Sequence, residues 1–217
     1  MIKTILFDLD GTIVNTNELI IASFLHALEG QTPQPVGREH IVPNMGRPLV
    51  EQMRYFSGRE QVDDLVNVYR EYNVRRHDEL VEEFPYVREV LAGLHASGIR
   101  MGVVTSKIRL TTEMGLKLLG LNEYLDTIVT VEDVAEPKPS PEGILRAMGE
   151  LGAERTSTLM VGDSQYDILA AQNAGVKAAG VAWTLKGEAF LQGYKPDYML
   201  HDMRELLAIA GVKADGV

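Results

Sequence analysis

Short apolar runs separated by longer amphipathic stretches set the rhythm of this chain. Thr4-Ile5-Leu6-Phe7, Met101-Gly102-Val103-Val104, Ile128-Val129-Thr130-Val131, Leu159-Met160-Val161 and Ala179-Gly180-Val181 read as strands. Between the later runs, apolar positions recur at helical spacing: Leu110, Met114, Leu118 and Leu121 form one stripe, and Ile144, Met148 and Leu151 another. Gly98, Gly120 and Gly175 fall where such helices end. Alternating strands and helices predict an α/β fold, a doubly wound parallel sheet with helices on both faces.

The stretch after the first strand breaks this rhythm. From about Asn15 to about Leu80 the patterns are helical, with no convincing strand. Asn15 and Glu18 have the spacing of a capping box. Ile20, Phe24, Ala27 and Leu28 share one face, as do Val62, Leu65, Val66, Tyr69 and Tyr72; Pro33, Pro35 and Gly37 mark a loop between them. The expected organisation is therefore a core made of residues 1–14 and 81–217 with an all-helical cap, residues 15–80, inserted above one edge of the sheet.

Composition narrows the partners. The chain has 217 residues, enough for a sizeable core, and a formal net charge of -10. Such a charge disfavours nucleic acid and anionic membranes, so neither is expected as a partner. An anionic substrate would need a local cationic site or a metal. The absence of cysteine excludes disulfides, thiolate catalysis and zinc-thiolate sites. No stretch approaches the roughly 20 apolar residues of a membrane span. The first apolar run stops at Asp8, too short for a signal-peptide core, so a cytoplasmic location is expected.

Polar groups collect at the ends of the predicted strands. Asp8-Leu9-Asp10-Gly11-Thr12 follows the first, and residues two apart in extended chain point the same way, so both carboxylates can face one ligand. A turn or hairpin is the bland alternative for Asp10-Gly11, weakened by the helical pattern that follows. Thr105 and Ser106 end the second strand, either as a helix cap or as a hydroxyl donor to an anion, and Lys107 comes next. Lys138 stands between Pro137 and Pro139, which bias its backbone to extended geometry. Asp163 ends another strand, and Ser164 and Asp167 have N-cap spacing. Three acids suit a hard cation such as Mg²⁺, and a lysine with a hydroxyl suits a bound oxyanion. The five histidines, His26, His40, His77, His95 and His201, show no metal spacing and read as surface or cap residues. Trp183 reads as a core residue near the site.

In this order, Asp8-Leu9-Asp10-Gly11-Thr12, Val104-Thr105, Lys138-Pro139 and Gly162-Asp163-Ser164 with Asp167 resemble the four motifs of the haloacid dehalogenase-like superfamily. The resemblance covers essentially the whole chain and implies a Rossmann-like core under a helical cap. It implies that Asp8 is the nucleophile that becomes aspartyl-phosphate and Asp10 the acid and base. Thr105 and Lys138 would bind the phosphoryl group. Asp8, the Asp10 main chain and Asp163 would hold Mg²⁺, with Asp167 supporting them or the lysine. An acid at position 10 favours phosphoryl transfer over dehalogenation, because a halide leaves without a proton.

Substrate is less legible. Pro43-Asn44-Met45-Gly46-Arg47-Pro48 resembles the specificity loop of the phosphoglycolate-phosphatase-like subgroup, with Arg47 a candidate second anion binder and Lys107 a weaker one. Asn15-Thr16-Asn17-Glu18-Leu19-Ile20, His77-Asp78-Glu79-Leu80-Val81-Glu82-Glu83, Gln172-Asn173-Ala174-Gly175 and Trp183-Thr184-Leu185-Lys186-Gly187 look closer to bacterial inorganic pyrophosphatases within it. That kinship implies hydrolysis of pyrophosphate, a small phosphorylated anion, released when a carrier-protein kinase/phosphorylase strips phosphate from its carrier. The alternatives are phosphoglycolate phosphatase or another small phosphomonoesterase, a sugar-phosphate mutase and, from a different class, a phospho-aspartate signalling switch.

Overall fold

The computed structural model describes residues 1–212. Six strands form one parallel sheet: β1 (Thr4–Phe7), β4 (Arg100–Val104), β5 (Thr127–Val129), β6 (Thr158–Gly162), β7 (Lys177–Val181) and β8 (Tyr198–Leu200). Their spatial order is β5-β4-β1-β6-β7-β8, which places the first strand at the centre. Thr4 to Phe7 pair with Arg100 to Val103 on one side and with Thr158 to Val161 on the other. The chain winds outward from β1 in both directions. The crevice at the carboxyl ends of β1 and its neighbours is the topological switch point of such a sheet.

Alternation along β1 explains the two layers. Ile5 and Phe7 enter one apolar cluster with α5 (Val87–Ala96) and α10 (Glu205–Ala210); Leu6 enters the other with α7 (Glu142–Leu151) and α8 (Gln165–Ala174). Strand residues buried on both faces give the continuous apolar runs seen in the sequence.

Between β1 and β4 lies the helical block: α1 (Asn17–Leu28), α2 (Arg38–Ile41), α3 (Leu49–Ser57) and α4 (Asp63–Leu80). It has its own apolar cluster, running from Ile21 to Val66, in which Phe24 meets Phe56 and Tyr69 edge to face at 5.8 and 4.8 Å. Leu19, by contrast, packs into the cluster of the sheet, so α1 serves both parts. Two short strands, β2 (Val14–Asn15) and β3 (Glu82–Glu83), pair antiparallel where the chain enters and leaves the block. The sequence reading does not contain them, and two residues are too few to show a period. The edge strand β8 and the short helix α9 (Glu188–Gln192) escape it for the same reason.

Three local expectations are corrected. Helix α6 (Arg109–Leu118) buries Thr111, Thr112, Gly115 and Leu116, whereas Leu110 and Leu118 are 60% and 43% exposed. The spacing is helical but the face is rotated: small residues let α6 approach the end of α4, and a Cβ on Gly115 would stand 3.6 Å from His77 Nε2. His77 is accordingly buried, on the α4 helix of the 15–80 block. At the start of α1, Thr16 rather than Asn15 is the N-cap, and no side-chain capping bond forms. The Thr16 hydroxyl is used elsewhere. The fifth strand begins and ends a little earlier than its apolar run, because Val131 enters a 3-10 turn closed by a Thr130–Asp133 capping box.

Candidate active site

The main chain leaves β1 still laddered: Asp8 N–H donates to Val161 O at 2.8 Å. It then tightens, with the amides of Ile13 and Val14 both donating to Leu9 O and Gly11 N–H donating to Val14 O. Asp10-Gly11 thus makes a turn, but the strand that follows pairs with β3 and not with β1, so it is no hairpin of the main sheet. Gly11 has φ 79°, and a Cβ there would lie 2.5 Å from Asp163 Oδ2. Glycine is what lets the two strand-end acids share one space.

Four strand ends converge there. Lys138 Nζ donates to Asp8 Oδ1 at 2.7 Å, to Asp167 Oδ1 at 2.5 Å and to Val104 O at 3.1 Å, so its three protons are all placed. Asp167 Oδ2 accepts from the Ser164 amide and hydroxyl at 3.0 and 2.6 Å, which makes it both the cap of α8 and the second seat of the lysine. Asp8, Asp163 and Asp167 each present a carboxylate oxygen within 4.8 Å of the others, all buried. Thr105 is buried beside them, its hydroxyl accepting from the Lys107 amide at 3.2 Å. The Lys138–Pro139 peptide is cis.

Crowded acids in a dry site resist ionisation. Burial foremost, with Asp167 and Asp10 adding to it against the pull of Lys138, lifts the Asp8 carboxyl from 3.8 to about 7. Asp163 is pushed well above the usual carboxylate range, first by burial and then by Asp8 and Asp167. Its carboxylate has no hydrogen-bond donor among the described residues, unlike those of Asp8 and Asp167. Burial works against the charge of Lys138, but Asp167 and Asp8 outweigh it and hold the ammonium above its ordinary value. A buried carboxylate pair with a bare oxygen fits a hard divalent cation.

Asp10 sits at the edge of this cluster. Its Oδ1 accepts the Thr16 hydroxyl at 2.6 Å, and Lys107 Nζ reaches its two oxygens at 2.9 and 3.1 Å. Asp8 and Asp10 are thus each held by a different lysine, while Asp163 has none among the described residues. Lys107 lines the cavity, with its charge engaged by Asp10.

Above these groups lies a cavity of about 190 Å³, roofed by the helical block. Arg47 lines it; its Nε donates to Tyr166 OH at 2.6 Å, which fixes the guanidinium plane and leaves the terminal nitrogens available. That bond holds the Arg47 pKa above its usual value. The loop carrying Arg47 is pressed onto the start of α8: a Cβ on Gly46 would stand 3.0 Å from Ser164 Oγ.

Sequence reasoning passed over several contributors. Thr16 enters the sequence analysis only within the Asn15–Ile20 segment, with no role of its own. Tyr166 and Lys186 were given no role in the site, yet Lys186, in the Trp183–Gly187 segment, donates through Nζ to Met45 O and Gln165 Oε1, both at 2.7 Å, tying the core to the loop before Arg47. Burial lowers the pKa of Lys186, against the pull of Asp163 and Asp167. Trp183 packs against Phe84, ring centroids 5.9 Å apart, and belongs to the core rather than the cavity.

Known proteins share this architecture. The family model described as haloacid dehalogenase-like hydrolase matches residues 5–181, and the chain belongs to that family. It is 49% identical over 214 residues, 98% of each chain, to a protein of Bacillus velezensis named pyrophosphatase PpaX. Among solved structures, a haloacid dehalogenase-like family hydrolase from Streptococcus pneumoniae superposes with a TM-score of 0.84 at 27% identity, covering 96% of this chain and 98% of that one. A protein described as a predicted phosphoglycolate phosphatase from Haemophilus somnus gives 0.81 at 26% identity, covering 96% and 97%.

Proposed function

We propose that this chain is a Mg²⁺-dependent phosphohydrolase that splits inorganic pyrophosphate into two phosphates through an aspartyl-phosphate on Asp8. The observation that carries this is the seat of Asp8: a buried carboxylate at the centre of the sheet, with one oxygen held by Lys138 at 2.7 Å and a second acid, Asp10, two residues on. The helical block 15–80 serves as the cap, over a core of 1–14 and 81–217; the last five residues lie outside the described ones.

In this mechanism the Asp8 carboxylate attacks the nearer phosphorus, and an O–P bond forms as the bridging P–O bond breaks. Asp10 gives its proton to the departing phosphate. Asp10 then takes a proton from water as the water oxygen attacks phosphorus, and the Asp8 O–P bond breaks to return the free carboxylate. Lys138 and the Thr105 hydroxyl meet the charge on the phosphoryl oxygens. Asp8, the Asp10 main chain and Asp163 would hold Mg²⁺, which when bound neutralises charge on the acids and the phosphoryl oxygens. Asp167 adds a third carboxylate to that group while holding Lys138 and Ser164.

The relationship to PpaX supports pyrophosphate as substrate, and a cytoplasmic carrier-protein kinase/phosphorylase is the functional partner we propose as its source. No helix among the described residues is long and apolar enough to cross a membrane. A second reading, a small phosphomonoesterase such as phosphoglycolate phosphatase, draws on the apolar part of the cavity wall, Ile20, Phe24, Leu49 and Val50. Specificity constants for pyrophosphate, phosphoglycolate and an aryl phosphate separate the two. Pyrophosphate is expected to be the best of the three, and far faster turnover of phosphoglycolate would overturn the choice.

A further inference from the structure

The charges around the cavity are unevenly matched. Three acids line it, Asp8, Asp10 and Asp163, against four cations, Lys107, Lys138, Arg47 and Arg70. The two lysines are already paired with acids. Neither arginine makes an ion pair among the described residues, and the side chain of Arg70, an exposed residue of α4, makes no hydrogen bond there either. A monoester phosphoryl group can be met by Lys138, Thr105 and a divalent ion alone. Two further unpaired guanidinium groups on the cap side exceed that need.

Gln52, on α3, points to the same place. It is 5% exposed and lines the cavity. Its Nε2 donates to Arg47 O at 2.9 Å, but its Oε1 has no partner. A buried carbonyl oxygen without a donor is unfavourable, and a ligand that brings a donor relieves it. A protonated phosphate oxygen is such a donor, and its remaining oxygens suit arginine.

We infer that Arg70 and Gln52, together with Arg47, form the subsite for a leaving group that carries its own negative charge. This rests on Asp8 being the attacking group and makes Arg70 a specificity residue rather than a participant in bond making. Arg70 then selects pyrophosphate, or another phosphate ester with an anionic leaving group, over an ester whose leaving group is neutral.

The test is a charge series at one position, Arg70→Lys, Arg70→Met and Arg70→Glu, assayed on pyrophosphate and phenyl phosphate. The ratio of the two kcat/KM values is expected to stay near wild type in Arg70→Lys. It should fall about 10- to 100-fold in Arg70→Met, mainly through KM for pyrophosphate, and further in Arg70→Glu. A loss of fold or cap packing would lower both substrates together and leave the ratio unchanged, and that result overturns the inference. If wild type prefers phosphoglycolate to pyrophosphate, the proposed function fails, and the same series then judges Arg70 by the phosphoglycolate to phenyl phosphate ratio.

Discussion

The Thr16 hydroxyl donates to Asp10 Oδ1 at 2.6 Å, across the point where the chain leaves the core for α1. The residue that opens the cap therefore orients the proposed acid. With Lys107 on the same carboxylate, Asp10 is held from both the cap and the β4 side of the core. Removing the hydroxyl while keeping the shape, as Thr16→Val, should lower kcat about tenfold through loss of a charge-assisted bond. Thr16→Ser should recover most of it. Steady-state kinetics on pyrophosphate with melting curves for all three proteins check this; equal kcat values would remove Thr16 from the argument.

Asp8→Asn and Asp10→Asn should differ in kind. The first removes the nucleophile, and turnover should fall by at least about 10⁴-fold with the fold retained. The second removes the proton carrier, and turnover should fall about 10²- to 10⁴-fold. Rapid acid quench followed by mass spectrometry should find phosphate on Asp8 in Asp10→Asn and none in Asp8→Asn.

Gly11→Ala combines two penalties at one position. Its φ of 79° disfavours any Cβ, and that Cβ would press on Asp163 Oδ2 at 2.5 Å. We expect a cost of about 1–3 kcal/mol in denaturant unfolding and a loss of activity larger than the stability change explains. Gly30→Ala, at φ 67° with no atom within 4 Å, gives the backbone cost alone.

EDTA should stop the reaction, and Mg²⁺ should restore it. Ca²⁺, with looser coordination, should restore it poorly. Added Mg²⁺ should raise the melting temperature of wild type by binding only the folded state, and this shift should vanish in Asp163→Asn. A full shift in that variant would place the ion elsewhere.

The metal-free protein should weaken as pH rises. Burial, opposed by Lys138, lifts Asp8 from its ordinary 3.8 to about 7 in the folded chain. The folded state thus holds a proton that the unfolded state has released. This contribution is complete below about pH 4 and is lost as pH rises through about 7. In EDTA, the stability difference between wild type and Asp8→Asn should move against wild type across that window. A difference independent of pH would show that Asp8 titrates normally.

Lys138 was legible because prolines flank it, and Asp8, Thr105 and Asp163 because each follows the apolar run of a buried strand. The parallel sheet was legible for the same reason. What escaped depends on the second dimension of packing. Leu110 and Leu118 share a stripe with Met114, but the face that docks is the one with Thr112 and Gly115, because closeness to α4 outweighed hydrophobicity. Gln52, Arg70 and Lys186 sit on helices or loops without local pattern, and only the folding of the cap over the core brings them to the cavity or its rim.

The central position of β1 has a consequence for biosynthesis. β1 is synthesised before either of its partners, which begin at Arg100 and at Thr158. Until β6 has emerged, Ile5 to Phe7 have no second flank to pair with, and Asp8 cannot meet Asp163. Such distant pairings are slow to close. Catalytic competence thus waits for β6 and the residues after it, so a product truncated before Thr158 carries the nucleophile without Asp163 beside it.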